Sequence, residues 1–357
     1  MRVALDTNGL FTTHAGVARY IRGLVNGLRQ VAPADLEPME LAWEVENFEY
    51  RQPQRLLKTA YRELFWAKWI APRLLSDRKV DLLHSTAGVL ITPPSPMKHV
   101  ATLNDLAVLR FPERFRWWQR WSTKNRLPEL KKVDRIICIS QFTADEATQL
   151  LELPSSRLEV IYPGCDFHPQ ELPPVEQKPD FEIPSDFFLF VGSLEPGKNL
   201  ALLKESYRLA ADKRESLPPL LIVGARWAGV ASEGPPPQGW HYLGLQPDSV
   251  LIYLYRRALG LVFPSKYEGF GFPVAEAMAL GCSVICSPVA SVREVAGDAA
   301  YLAPLDPGAY YTAMKLLAAD DNLRSELIQK GKCQALRFSW KKCAEQVVQV
   351  YRSVYNE

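Results

Sequence analysis

The sequence predicts an α/β protein built as two Rossmann-like domains in tandem, each a parallel sheet flanked by helices. Three observations carry this prediction. Apolar runs of strand length alternate with segments of helical period along the chain. The alternation breaks at residues 169–186, where five prolines and several charges stand with little apolar periodicity. A length of 357 residues suits two domains better than one.

The first strand is read at 3–5 and runs into Asp6-Thr7-Asn8-Gly9 and a polar loop to Gly16. Residues 17–31 follow with Val17, Tyr20, Ile21, Leu24, Val25 and Leu28 at helical spacing. Further strands are read at 80–84, 99–103, 135–139 and 158–162, the last stopped by Pro163-Gly164. After the break a second series begins, with strands at 187–191, 220–223, 259–264 and 283–286. Alternating β and α units imply parallel sheets covered on both faces. Ligands are then expected in a crevice lined by the carboxyl ends of the strands. The expected domains are 1–172 and 185–338, with residues 339–357 forming a final helix.

Composition narrows the function. Hydrophobic residues make up 47% and charged residues 23%, the balance of a globular chain. A net charge of +2 gives no general field for nucleic acid, and no nucleic-acid partner is expected. Six cysteines form no CxxC pair and read as buried free thiols. The apolar run at the N-terminus is too short for a signal peptide, and no stretch approaches the roughly 18 apolar residues of a spanning helix. The expected location is cytoplasmic. Two segments depart from this even charge. Residues 51–79 and 110–132 each carry eight basic and two acidic residues, interleaved with aromatics such as Trp66, Trp69, Trp117, Trp118 and Trp121. Each reads as an amphipathic helix with a solvated basic face, as a surface for anionic membrane or a phosphate-bearing acceptor, or as a platform on which bases of single-stranded nucleic acid stack.

The richest stretch is Lys266-Tyr267-Glu268-Gly269-Phe270-Gly271-Phe272-Pro273-Val274-Ala275-Glu276. A strand leads in and a helix leads out. Two glycines and a proline between them let bare backbone N–H groups face an anion at a helix start. The two carboxylates can accept bonds from hydroxyls. An anionic ligand with hydroxyls, such as a sugar nucleotide, fits this layout.

With those residues in view, the sequence resembles glycosyltransferase family four, whose members have the GT-B fold and retain anomeric configuration. Glu268 and Glu276 match the family's E-x7-E motif, and Gly192-Ser193-Leu194-Glu195-Pro196-Gly197-Lys198-Asn199 resembles its Lys-Asn loop. Ala279-Leu280-Gly281-Cys282 resembles the turn after the second glutamate. The likeness is strong over 187–355 and looser over 1–165, and it implies that the first domain takes the acceptor, the second the donor, and that the final helix crosses back onto the first domain. It implies that Glu276 holds the ribose, that Glu268 binds the donor sugar, and that the backbone of Gly269, Phe270, Gly271 and Phe272 approaches sugar and phosphates. It implies that Lys198 neutralises the leaving diphosphate, that Asn199 braces its loop, and that the glycine loop ending at Gly16 covers the diphosphate. The flavour is that of bacterial enzymes of surface-polysaccharide assembly, with GDP-mannose the favoured donor and a glycan or lipid-linked acceptor. A GT-B phosphorylase, an epimerase or a non-catalytic binder of nucleotide sugars would share this layout.

Two positions depart from the family pattern. The family's usual phosphate-binding arginine is replaced here, since Ser193 and Gly197 occupy the candidate positions; Arg226 is the substitute expected. Asn104 stands where the family has histidine, beside Asp105, and can exchange hydrogen bonds but carry no proton. His14, His84 and Ser140 are expected on the acceptor side, although Ser140 also suits a helix cap. No D-x-D and no His/Cys cluster of metal spacing occurs, so neither a metal nor another cofactor is expected.

Overall fold

The computed structural model describes residues 1–13, 16–48, 54–165, 167, 176–227 and 234–357. The chain forms two compact units, Met1–Gly164 with Ser339–Glu357, and Cys165–Phe338.

The first unit is a parallel sheet of β1 (Arg2–Asp6), β2 (Glu37–Leu41), β3 (Leu82–Ser85), β4 (Lys98–Leu103), β5 (Arg135–Cys138) and β6 (Leu158–Val160), in the order β2-β1-β3-β4-β5-β6. Its central strands are buried along almost their whole length, as strands covered on both faces must be. The helix Gly16–Val31 buries Tyr20, Ile21, Leu24, Val25 and Leu28, the stripe its spacing predicts. Two of its glycines serve close approach. A Cβ on Gly23 would fall 2.0 Å from the Trp340 ring, and one on Gly27 2.7 Å from the Trp340 carbonyl. A Cβ on Gly164 would lie 2.2 Å from the Trp340 backbone nitrogen. Trp340 begins the terminal helix Trp340–Asn356, whose Cys343, Ala344, Val347, Tyr351 and Val354 are buried.

The second unit repeats the architecture with β7 (Phe188–Val191), β8 (Leu220–Val223), β9 (Trp240–Gly244), β10 (Gly260–Phe263), β11 (Val284–Cys286) and β12 (Tyr301–Leu302), in the order β12-β11-β10-β7-β8-β9. Phe188, Phe190, Ile222, Val262, Ile285, Tyr310 and Met314 belong to its core. Part of the expected linker lies outside the described residues. Its described portion is tied to this unit, with Glu176 paired to Arg256 and Arg257 and the Gln177 amide donating to the Ser249 carbonyl at 3.2 Å.

β2, β9 and β12 are strands the apolar pattern does not predict. All three are sheet edges, where one side is unpaired and the chain need not be apolar. β2 even carries Pro38, which an edge tolerates. Five cysteines are buried as expected, and Cys333 is exposed instead.

The basic segment beginning at 54 forms a helix in three parts, Gln54–Ala60, Tyr61–Ile70 and Ala71–Asp77, the middle one wound as a π-helix. It buries Arg62, Trp66 and Ala67 and leaves Leu57 72% and Trp69 70% exposed. The second basic segment holds the helix Trp117–Arg126, with Trp117 72% and Trp121 59% exposed. Glu63 joins the two by accepting from Ser122 Oγ at 3.0 Å and pairing with Arg126. No helix among the described residues is long and apolar enough to cross a membrane.

Candidate functional site

In the second unit, three strands deliver their following loops to one place. β7 ends at Gly192, and the chain turns through Pro196–Lys198 into the helix Leu200–Asp212. The turn is held by the buried Glu195 carboxylate, which accepts from the Gly197 amide at 2.7 Å. Asn199 sits at φ 58°, ψ 38° and is the N-cap residue of the following helix. Left-handed backbone at a non-glycine residue favours asparagine. β10 ends before Pro264, and its loop passes Lys266, Tyr267 and Glu268 into the helix Phe272–Ala279. Gly271 caps that helix at φ +101°, which a side chain would disfavour. The two loops are stitched by the Lys266 amide donating to the Gly197 carbonyl at 2.8 Å. β8 adds the third loop. The Leu194 amide donates to the Ala225 carbonyl at 2.9 Å, and that of Trp227 to the Leu194 carbonyl at 3.3 Å. Arg226 is thereby fixed beside the loop that carries Lys198. Gly224 permits this approach, since a Cβ there would lie 1.8 Å from the Gly192 carbonyl oxygen.

The charged centre is an ion pair. Lys198 Nζ donates to Glu268 Oε1 at 2.5 Å, with side chains 17% and 12% exposed. Lys198 Nζ also lies 5.6 Å from the centre of the Phe263 ring. The glycine turn between the glutamates is braced from below. Ser291 Oγ lies 2.9 Å from the Glu268 carbonyl and 3.1 Å from that of Phe270, and bonds to both. The Phe270 ring packs into the unit against Phe272 and Phe338, at 5.1 and 5.2 Å between centroids, so Phe270 can meet a ligand only through its backbone. Glu276 is buried, and its carboxylate accepts from Tyr255 Oη at 3.1 Å. Sequence reasoning missed Ser291 and Tyr255. Neither sits in a recognisable motif, and both act on residues distant in sequence.

In the first unit the expected residues separate into several kinds. Asn104 and Asp105 follow β4: Asn104 Nδ2 donates to the Thr86 carbonyl at 3.3 Å, and Asp105 Oδ1 accepts from the Ala107 amide at 2.9 Å. Gly16 opens the helix Gly16–Val31, and His14 lies outside the described residues. Two expectations are corrected. His84 does not face a ligand: it is fully buried, with Nδ1 2.6 Å from Tyr351 Oη and Nε2 2.8 Å from Thr102 Oγ1. Burial lowers its pKa to about 3, so the ring is neutral. Ser140 is also fully buried and caps the helix Gln141–Leu151, its Oγ accepting from the Thr143 amide at 3.1 Å. Asp6, at the end of β1, is buried and bonded to the Asn8 amide and side chain, and burial raises its pKa. Among the described residues no group of three His, Cys, Asp or Glu side chains is placed to hold a metal ion.

A strand-end site with an ion pair, a glycine turn and a second buried carboxylate is suited to a ligand bearing both phosphates and hydroxyls. Comparison with known proteins points the same way. Residues 175–334 match the family model described as Glycosyl transferases group 1, and residues 14–168 that of Glycosyltransferase Family 4. The chain is 33% identical over 325 residues to the O-antigen chain mannosyltransferase B of Escherichia coli, covering 85% of this chain and 82% of that protein. It is 28% identical over 263 residues to the serotype-specific mannosyltransferase WbdA of Escherichia coli, of which it spans about a third (69% of this chain, 32% of WbdA). Among solved structures, sucrose-phosphate synthase from Thermosynechococcus elongatus superposes with a TM-score of 0.71 at 18% identity, covering 100% of this chain and 99% of that one. HepE from Anabaena, solved in complex with UDP, gives 0.70 at 15% identity, covering 99% of each chain.

Proposed function

Because the chain belongs to glycosyltransferase family 4 and has the GT-B fold, we propose that it moves mannose from GDP-mannose, with retention of configuration, to a glycan or lipid-linked acceptor in polysaccharide synthesis. The observation that carries this is the Lys198–Glu268 pair on adjoining strand-end loops. Without donor, the lysine is held by a carboxylate. A diphosphate offers it stronger anionic oxygens and frees Glu268 to accept bonds from hydroxyls of the sugar. Glu276, its carboxylate oriented by Tyr255, would take the ribose hydroxyls. As the bond to the sugar breaks, negative charge grows on the diphosphate. Lys198, Arg226 and the amides at the start of the helix Phe272–Ala279 would stabilise that charge without a metal. In front-face transfer the acceptor hydroxyl enters on the leaving-group side and a phosphate oxygen takes its proton. No side chain then has to act as nucleophile. The mannosyltransferase names of the two Escherichia coli relatives support the choice of sugar.

The test is a panel of GDP-mannose, other GDP-sugars, UDP-sugars and dTDP-sugars, read by thermal shift and by the anomeric configuration of the product. A ligand that binds the folded state alone at a hundredfold excess over its dissociation constant raises stability by about 2.7 kcal/mol. Stabilisation and turnover are expected with GDP-mannose; preference for another donor, or an inverted product, rejects that part of the proposal.

The first unit would also dock on anionic membrane. The two basic segments carry a combined excess of twelve positive charges against +2 for the whole chain. Leu56, Leu57, Phe65, Trp69 and Trp117 stand exposed among them. Aromatic and aliphatic side chains amid cations suit the headgroup boundary, each cation near an anionic surface adding about 1 kcal/mol. Binding to vesicles containing phosphatidylglycerol is expected at low salt and should fade at high salt; indifference to such vesicles at low salt would reject it.

A further inference from the structure

We propose that a groove on the first unit is a subsite for one sugar unit of a neutral glycan, with Trp121 as its stacking platform. The groove lies between the helix beginning at Gln54 and the helix Trp117–Arg126, and has a volume of about 400 Å³. That is the size of a small-ligand site. Val89, Leu90 and Thr92, on the loop after β3, close one side. Loops at the carboxyl ends of parallel strands are where this architecture places its ligands.

The lining says what kind of ligand. The surrounding segments are strongly basic, yet the groove's own lining is balanced, with Lys68 and Arg126 against two carboxylates, Glu63 and Glu129. Arg126 is paired with Glu63, and Glu129 with Lys132. A phosphate would meet as many negative as positive charges there. An acyl chain would desolvate all four charged groups without replacing a hydrogen bond. A sugar ring satisfies both sides of the account: its hydroxyls donate to carboxylates and accept from amide and ammonium groups. Open groups are on hand. Among the described residues, the side chains of Lys68, Thr92 and Asn125 have no hydrogen-bond partner. Trp121 is 59% exposed and presents an indole with an apolar face at the groove wall. The C–H face of a pyranose can lie on such a ring, as aromatic rings attract polarised hydrogens.

This inference rests on the proposed function only for the choice of sugar. The full-length protein, without nucleotide, is titrated calorimetrically with α-linked mannotetraose, and with gluco- and galacto-oligosaccharides of the same length. Saturable binding of a neutral oligosaccharide is expected. Trp121→Ala and Asn125→Ala, both exposed positions, should each weaken it about tenfold, with Trp121→Phe intermediate. Melting temperature checks that the variants are folded. With a long acceptor, Trp121→Ala should raise KM more than it lowers kcat. The proposal is overturned if no oligosaccharide binds, or if Trp121→Ala binds as well as wild type. It is equally overturned if Trp121→Ala loses only vesicle binding, which would give the groove to the membrane surface. A wrong donor would appear in the nucleotide panel and leave the oligosaccharide titration untouched, so the two failures are distinguishable.

Discussion

The buried histidine of β3 gives the sharpest test of the fold. His84 is neutral in the folded chain because burial lowers its pKa from 6.5 to about 3. The unfolded chain binds a proton there at about pH 6.5. Below that value the unfolded state holds more protons, so stability falls with pH; above it the His84 contribution is complete. At pH 5.0, about 1.5 units below the ordinary imidazole value, the loss from this one group is about 2 kcal/mol. The perturbation is His84→Leu. It abolishes the proton uptake and leaves Tyr351 Oη without the imidazole it contacts at 2.6 Å. Thr102 Oγ1 keeps its contact with Tyr20 Oη at 3.0 Å. An orphaned buried hydroxyl costs about 1–3 kcal/mol, so the variant should be less stable at pH 8. On moving to pH 5 the wild type alone suffers the His84 penalty, and the gap should narrow by about 2 kcal/mol. His99, lowered to about 4 chiefly by burial, is present in both proteins, so its own proton uptake largely cancels in the difference. Urea unfolding at the two pH values measures the gap. An equal gap at pH 8 and pH 5, or an imidazole resonance of His84 that titrates near pH 6.5, would refute the reasoning.

Other outcomes are also fixed by the geometry. Lys198→Ala should lower kcat by about 10²–10³, the usual effect of removing one donor from a developing oxyanion; Glu268→Ala should lower kcat/KM by a similar factor, both read by donor turnover. Glu276→Ala should act mainly on the KM for the nucleotide sugar, and Tyr255→Phe in the same direction but less. Gly224→Ala places a Cβ 1.8 Å from the Gly192 carbonyl at a φ of +145°; it should destabilise the second unit by several kcal/mol, about the range of severe core changes, and lower donor affinity, as seen by denaturation and thermal shift. Trp69→Ser with Leu57→Ser should reduce binding to anionic vesicles at low salt while leaving the melting temperature nearly unchanged, since both side chains are exposed.

The two-sheet layout was legible because buried parallel strands must be apolar along their length, as at 187–191 and 220–223. Three of the four sheet edges were not legible: in Glu37–Leu41 and Trp240–Gly244 exposed positions interrupt the apolar pattern, and pairing on one side alone defines them. The motif residues were readable individually. The contact between Lys198 and Glu268, seventy positions apart, is a product of β7 and β10 lying side by side. His84 misled because a histidine at a strand end looks available for a ligand. What hides it is Tyr351 from a helix formed by the last residues of the chain. The groove beside Trp121 was visible only as basic, aromatic composition, since its balanced lining comes from three separate segments.

The return of Trp340–Asn356 to the first unit has a consequence for truncated chains. Trp340 fills the space left open by Gly23, Gly27 and Gly164, and Tyr351 supplies the partner of His84. The first unit is therefore incomplete until residues 339–357 are in place, although its sheet precedes the second unit in the chain. Residues 165–338 form the second unit from one continuous stretch, whereas the first unit draws on two. A truncation within Trp340–Asn356 would damage the unit whose sheet lies more than 150 residues earlier in the chain, not the unit just before it.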